Sequence, residues 1–193
     1  MNDESALLQR AVRGDREAFD ALVRSRWGRL VRLAARIVGD EGEAQDVAQE
    51  AVLRVWTTLD RLRPDANLDV WVKRIVTNLA IDVLRRRRAR PESRVVAQVE
   101  ETALPHAGAA PDETLFAREL EDALRKVTRD LPPRQKAVFV LARVEGLSTE
   151  EIAETLDVTP STVRNTLFQA RAAIARRLRA EFPGLLGVRG TGE

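Results

Sequence analysis

The 193-residue chain has no cysteine, no tyrosine, one histidine (His106) and three lysines (Lys73, Lys126 and Lys136). Without thiols there can be no disulfide, no thiolate zinc site and no cysteine nucleophile. One histidine cannot build a histidine-based metal cluster. No apolar run approaches the ~18 residues a membrane span needs; the longest is AVFVLA at 137–142. The opening MNDESALLQR places acids where a signal peptide would carry a basic segment and an apolar core, so the expectation is a cytoplasmic protein without membrane insertion. Strand-like alternation is also missing, and glycine and proline fall between periodic segments rather than inside them.

What the chain has instead is charge, at 32% of residues, with 29 arginines among 32 basic side chains. Arginine offers a planar, permanently charged fork that suits phosphates and guanine edges. The net charge of +2 conceals a partition: residues 1–91 sum to +4, 92–115 to −4, 116–180 to +3 and 181–193 to −1. The acidic stretch 92–115 contains Pro105, Pro111 and Gly108 and keeps no period, which reads as a flexible linker. The expected fold class is therefore all-α. Two small helical domains, 1–91 and 116–180, are joined by that linker and followed by a disordered tail at 181–193.

Local signals mark the helices. Asp15 caps a helix whose Phe19, Leu22, Val23, Leu30, Leu33, Ala34 and Ile37 fit a 3.6-residue period, and Gly39 ends it. Asp40 and Glu43 have capping-box spacing for the next helix, and another runs from about Asn67 to before Pro91. In the second domain a helix begins at Asp112 and runs to about Asp130, and Pro132-Pro133 starts another that stops at Gly146.

The clearest motif is LSTEEIAETLDVTPSTVRNTLFQARAAI (147–174). A capping box (Ser148, Glu151), a small residue where helices would cross (Ala153), a turn plugged by Val158 and a Thr159-Pro160 helix start together describe a helix-turn-helix. Val163, Leu167 and Ala170 are its expected buried side. Ser161, Thr162, Asn165, Gln169 and Arg176 face away, and Asn and Gln suit adenine edges while hydroxyls at a helix start suit phosphate. Phe168 borders this face, where it could meet a thymine methyl.

Two further stretches need partners. In DVAQEAVLRVW (46–56), Asp46, Gln49, Glu50, Leu53 and Arg54 lie opposite the apolar stripe, and a leucine among exposed polar groups suits a protein partner. The carboxylates Asp40, Glu41, Glu43, Asp46 and Glu50 are mostly better explained as helix-start acids complementing the dipole than as a metal site. In VWVKRIVTNLAIDVLRRRRAR (70–90), Val72, Ile75, Val76, Leu79 and Val83 form the expected core face, and Lys73, Arg74, Thr77 and Asn78 an outward polar row. Six arginines within 85–94 exceed what a helix dipole requires and favour phosphate contact.

In this order the stretches resemble an extracytoplasmic-function (ECF) sigma factor of bacterial RNA polymerase, over about residues 5–180. The resemblance implies that Asp46, Gln49, Glu50, Leu53 and Arg54 dock on core RNA polymerase. It implies that the loop 61–68, with Arg61, Leu62 and Leu68, joins Lys73, Arg74, Thr77, Asn78, Arg85, Arg86, Arg87 and Arg88 in handling the minus-ten element. It further implies that Ser161, Thr162, Arg164, Asn165, Phe168, Gln169 and Arg171 read or clamp the minus-thirty-five element. Departures from the family pattern fall at Leu68, Val72, Asp157 (where glycine is favoured), Thr166 and Gln169. The implied protein has no catalysis and no cofactor of its own and acts as a monomer within the holoenzyme. Its partners are core polymerase and promoter DNA, with an anti-sigma factor as a candidate third. The alternative is a free-standing helix-turn-helix regulator, which leaves the Leu53 stripe and the arginine block without a role.

Overall fold

A computed structural model of the chain describes residues 3–62, 67–89 and 123–182. The described residues are helical, with no strand among them. In the N-terminal half lie α1 (Asp3–Val12), α2 (Arg16–Val38), α3 (Glu41–Thr58), a 3-10 turn (Leu59–Arg61) and α4 (Leu68–Ala89). In the C-terminal half lie α5 (123–129), α6 (Pro133–Arg143), α7 (Thr149–Leu156) and α8 (Pro160–Glu181). The acidic linker 92–115, the start of the helix expected at Asp112 and the tail from 183 lie outside the described residues.

The helix ends follow from short-range chemistry. Asp15 Oδ1 accepts from the Ala18 amide at 3.1 Å, and Gly39 closes α2 in the left-handed region at φ 81°. Asp40 Oδ1 accepts from the Glu43 amide at 2.8 Å, but the Glu43 carboxylate does not return to the cap. It is bound instead by Arg87, which also donates to the Val38 carbonyl at 3.3 Å. Only half of the expected capping box forms, because a guanidinium from α4 competes for the carboxylate.

The first four helices bury Phe19, Leu22, Leu33, Ile37, Val47, Val55, Val76 and Leu79. Arg26 enters this core at 5% exposure. Its Nε donates to Asp69 Oδ1 at 2.9 Å and its remaining nitrogens meet Glu4 and the Leu22 carbonyl, so the buried charge is paired.

The second half does not stand apart. Ala137, Val140, Leu141, Ile152 and Leu156 of α6 and α7 belong to the same continuous apolar core as α2, α3 and α4, while Val127, Leu131, Ala170 and Ile174 form a smaller core between α5 and α8. Helix α4 is consequently buried on two sides. Besides the expected Val72, Val76 and Leu79, it buries Thr77, Ile81 and Leu84, which share a helix side with Arg74 and Arg88.

Candidate functional site

Helices α7 and α8 make the expected helix-turn-helix. The Glu151 amide donates to Ser148 Oγ at 3.2 Å and the Ser148 amide to Glu151 Oε2 at 2.7 Å, so this capping box is complete. Those bonds from the Ser148 backbone and hydroxyl, with a smaller contribution from Lys73, hold the Glu151 carboxyl below the usual glutamate range. The turn passes through Asp157 at φ 54°, a left-handed position that favours glycine. Thr159 Oγ1 then accepts from the Thr162 amide at 3.2 Å and Pro160 begins α8.

Val163, Ala170 and Ile174 turn α8 inward, with Leu167 only half-buried. Ser161, Thr162, Arg164, Asn165, Gln169 and Arg171 are exposed together on α8, and Phe168 stands 74% exposed beside them. Gln169 Oε1 accepts from Gln135 Nε2 at 3.2 Å. The row is a set of short polar groups and two guanidinium groups with an aromatic edge, which suits a major groove.

The α3 stripe is also brought together. Asp46, Gln49, Glu50, Leu53 and Arg54 are exposed, Leu53 at 61%, and Arg54 Nε donates to Glu50 Oε1 at 2.9 Å. Sequence reasoning missed Trp56, three residues beyond Leu53. It is 37% exposed with its ring 4.8 Å from Phe19, and extends the apolar centre of the patch. A tryptophan one helical turn from Leu53, already placed on the outward stripe, was the available signal.

The expected minus-ten set is divided. Arg61 and Asn78 are exposed, Leu62 and Lys73 half-buried, and residues 63–66 lie outside the described residues. Two placements need correction. Leu68 is buried against α2 and α3 beside Leu22, Leu59 and Val72, because an apolar side chain at the start of α4 completes that core. Thr77, expected outward, is wholly buried and its hydroxyl has no partner, because α6 and α7 cover that side of α4. Arg74 Nη2 donates to Asp157 Oδ2 at 2.9 Å. The arginine block also splits. Arg85 pairs with Asp82 at 3.2 Å, Arg86 is exposed, Arg87 clasps Glu43, and Arg88 donates to the Asp130 and Leu131 carbonyls at 3.0 and 2.5 Å.

Asp40 caps α3, Glu43 is held by Arg87 and Glu50 by Arg54, and no group of His, Asp or Glu among the described residues could hold a metal. No helix among them is long and apolar enough to cross a membrane.

The described residues are helical and display a helix-turn-helix with an exposed polar row and, separately, an exposed leucine-centred stripe, features of the class of helical DNA-binding proteins. Comparison with known proteins identifies the family. Residues 22–90 match Sigma-70 region 2 and residues 121–174 match Sigma-70, region 4. The chain is 34% identical to the RNA polymerase sigma-H factor of Pseudomonas aeruginosa over 91% of this chain and 93% of that one. It is 31% identical to the ECF RNA polymerase sigma-E factor of Escherichia coli K12 over 91% of this chain and 94% of that one. A solved structure of CnrH in complex with the cytosolic domain of CnrY is similar at a TM-score of 0.65 and 25% identity, covering 92% of this chain and 98% of that one. The chain belongs to the ECF sigma factors, which act in transcription initiation with RNA polymerase. The free-standing regulator is not favoured, since the relatives match over both halves rather than the helix-turn-helix alone.

Proposed function

We infer that this chain docks on core RNA polymerase through Asp46, Gln49, Glu50, Leu53 and Arg54 of α3, with Trp56 widening the contact. The N-terminal half, about 1–91, then handles the minus-ten element through Arg61, Lys73, Arg74 and Asn78, with Arg85 and Arg86 toward phosphate. Arg87 and Arg88 support helix contacts rather than DNA. The C-terminal half, about 116–180, reads the minus-thirty-five element through Asn165 and Gln169, positioned by Ser161, Thr162, Arg164 and Arg171. The observation that carries this reading is the pairing of an exposed polar row on α8 with a separate exposed leucine-centred stripe on α3.

The protein makes and breaks no bonds itself; the polymerase supplies the chemistry. It works in the cytoplasm as a monomer within the holoenzyme. An anti-sigma factor is a further proposed partner: the structurally similar CnrH is seen in complex with the cytosolic domain of CnrY. Runoff transcription from a random promoter library, with core polymerase and with or without this chain, tests the reading. Chain-dependent transcripts sharing minus-ten and minus-thirty-five sequences are expected. Tight, specific duplex binding by the chain alone, with no such transcripts, overturns it.

A further inference from the structure

We propose that Gln135, on α6 and outside the reading row, determines which base α8 selects. Its amide nitrogen holds the Gln169 oxygen, so Gln169 offers the groove donors alone and favours guanine over adenine. This rests on the assignment of Gln169 to the minus-thirty-five element. Gln135 is half-buried and Gln169 exposed, and the two amides meet where α6 lies beside α8, Gln135 Nε2 donating to Gln169 Oε1 at 3.2 Å.

The start of α6 gives that bond its direction. Pro132 and Pro133 lack N–H groups, no side chain caps the helix, and its first bond runs from the Lys136 amide to the Pro132 carbonyl at 3.0 Å. The amides of Arg134 and Gln135 therefore form the open, positive end of α6. Gln135 is the third helical residue, from which a glutamine oxygen ordinarily returns to the N-cap amide. Pro132 has no such amide to offer. The field of the helix end still draws the Gln135 oxygen toward the open amides and turns its nitrogen out to Gln169.

A glutamine with both ends free pairs with adenine, donating to N7 and accepting from the N6 amino group. With its oxygen engaged, Gln169 keeps the two N–H bonds of Nε2 for the groove. Guanine meets them with two acceptors, N7 and O6, whereas adenine sets its own N6 donor against them. Asn165, one turn earlier, makes no side-chain hydrogen bond among the described residues and keeps the adenine pairing. Two amides on one helix face thus read different bases, and a residue that never touches DNA makes the difference.

Binding titrations of the holoenzyme on promoters carrying each base at the minus-thirty-five positions test this. Gln169→Ala identifies the position Gln169 reads, where the parent should prefer guanine to adenine by about ten-fold. Gln135→Glu is nearly isosteric but accepts only. It should take a bond from Gln169 Nε2, free Oε1 and move the preference to adenine. Gln135→Lys, which donates only, should keep guanine. In a Gln169→Ala background neither substitution at 135 should alter base preference, and the position read by Asn165 should respond to neither. Arg134→Gln changes the charge as much as Gln135→Glu does, at the adjacent exposed residue, and should weaken all sequences alike. A parent that prefers adenine, a Gln135→Glu variant that still prefers guanine, or loss of the guanine preference in Gln135→Lys overturns the role of Gln135 alone. If Gln169→Ala changes no base preference, the reading assignment falls and the role of Gln135 falls with it.

Discussion

Lys136 offers the sharpest test of how the two halves meet. It sits on α6 at 5% exposure, with its Nζ against Gly39 at the C-terminal end of α2. Burial, then repulsion from Arg87, Arg129 and Arg88 and only partly offset by Asp130, lowers its pKa from 10.5 to about 8. The native state therefore binds fewer protons than the unfolded chain between pH 8 and 10.5, and stability must rise with pH across that window. The penalty is full below pH 8 and gone above 10.5; a shift of this size corresponds to about 3 kcal/mol.

Replacing the charge with a similar apolar side chain, Lys136→Met, should remove the penalty. At pH 7 the variant should melt roughly 6–12 °C above the parent, at about 2–4 °C per kcal/mol for a chain of this size. The gap should close as the pH approaches 10.5. Few other groups obscure the reading, because the chain has no tyrosine or cysteine and only two other lysines, and arginines stay charged throughout. Thermal melts of both proteins at half-unit steps from pH 7 to 10.5 supply the data. Parallel curves, or a variant less stable at pH 7, would refute the claim that a desolvated ammonium lies between the halves.

Asp46→Arg and Leu53→Asp should leave melting within about 0.5 kcal/mol of the parent yet abolish co-elution with core polymerase; normal co-elution would move the docking site elsewhere. Asn165→Ala and Gln169→Ala should each cost roughly 1–3 kcal/mol at one base position, whereas Arg171→Ala should weaken all sequences alike and flatten the salt dependence. Binding titrations on single-base promoter variants separate the two behaviours, and sequence-blind losses for all three would remove the reading role. Thr77→Val should stabilise the chain by about 1 kcal/mol, since a methyl replaces a buried hydroxyl with no partner. Denaturant melts showing a loss instead would mean that the hydroxyl is satisfied.

Helix boundaries were legible in the sequence because their causes are short-range. Asp15, Ser148, Thr159 and Gly39 each act within about four residues, and the structure places them as caps. The outward stripes on α3 and α8 were legible for the same reason: helical period alone decides which residues oppose the buried ones. Long-range pairing left much weaker marks. Nothing in the spacing of α4 distinguishes Thr77 from Asn78 as the residue to be covered. Their difference comes from α6 and α7 closing on one side. Nothing in the local sequence marks Arg26 or Lys136 as an interior cation; contacts with Asp69 and with the end of α2, distant in sequence, give them those positions. Leu68 is a related case, where loop proximity suggested DNA and an apolar side chain settled into the core.

The four letters RRRR at 85–88 look like one patch of positive charge, but the helix deals them in four directions. Arg87 ties together the end of α2, the start of α3 and the end of α4, whereas Arg86 reaches solvent one hundred degrees away. Adjacent codons thus answer to different selection. Lysine at 86 would keep the charge that matters there, but at 87 it would lose the two-pronged hold on Glu43 that a planar fork provides. Any alphabet that groups these four residues by composition averages a corner brace with a free cation.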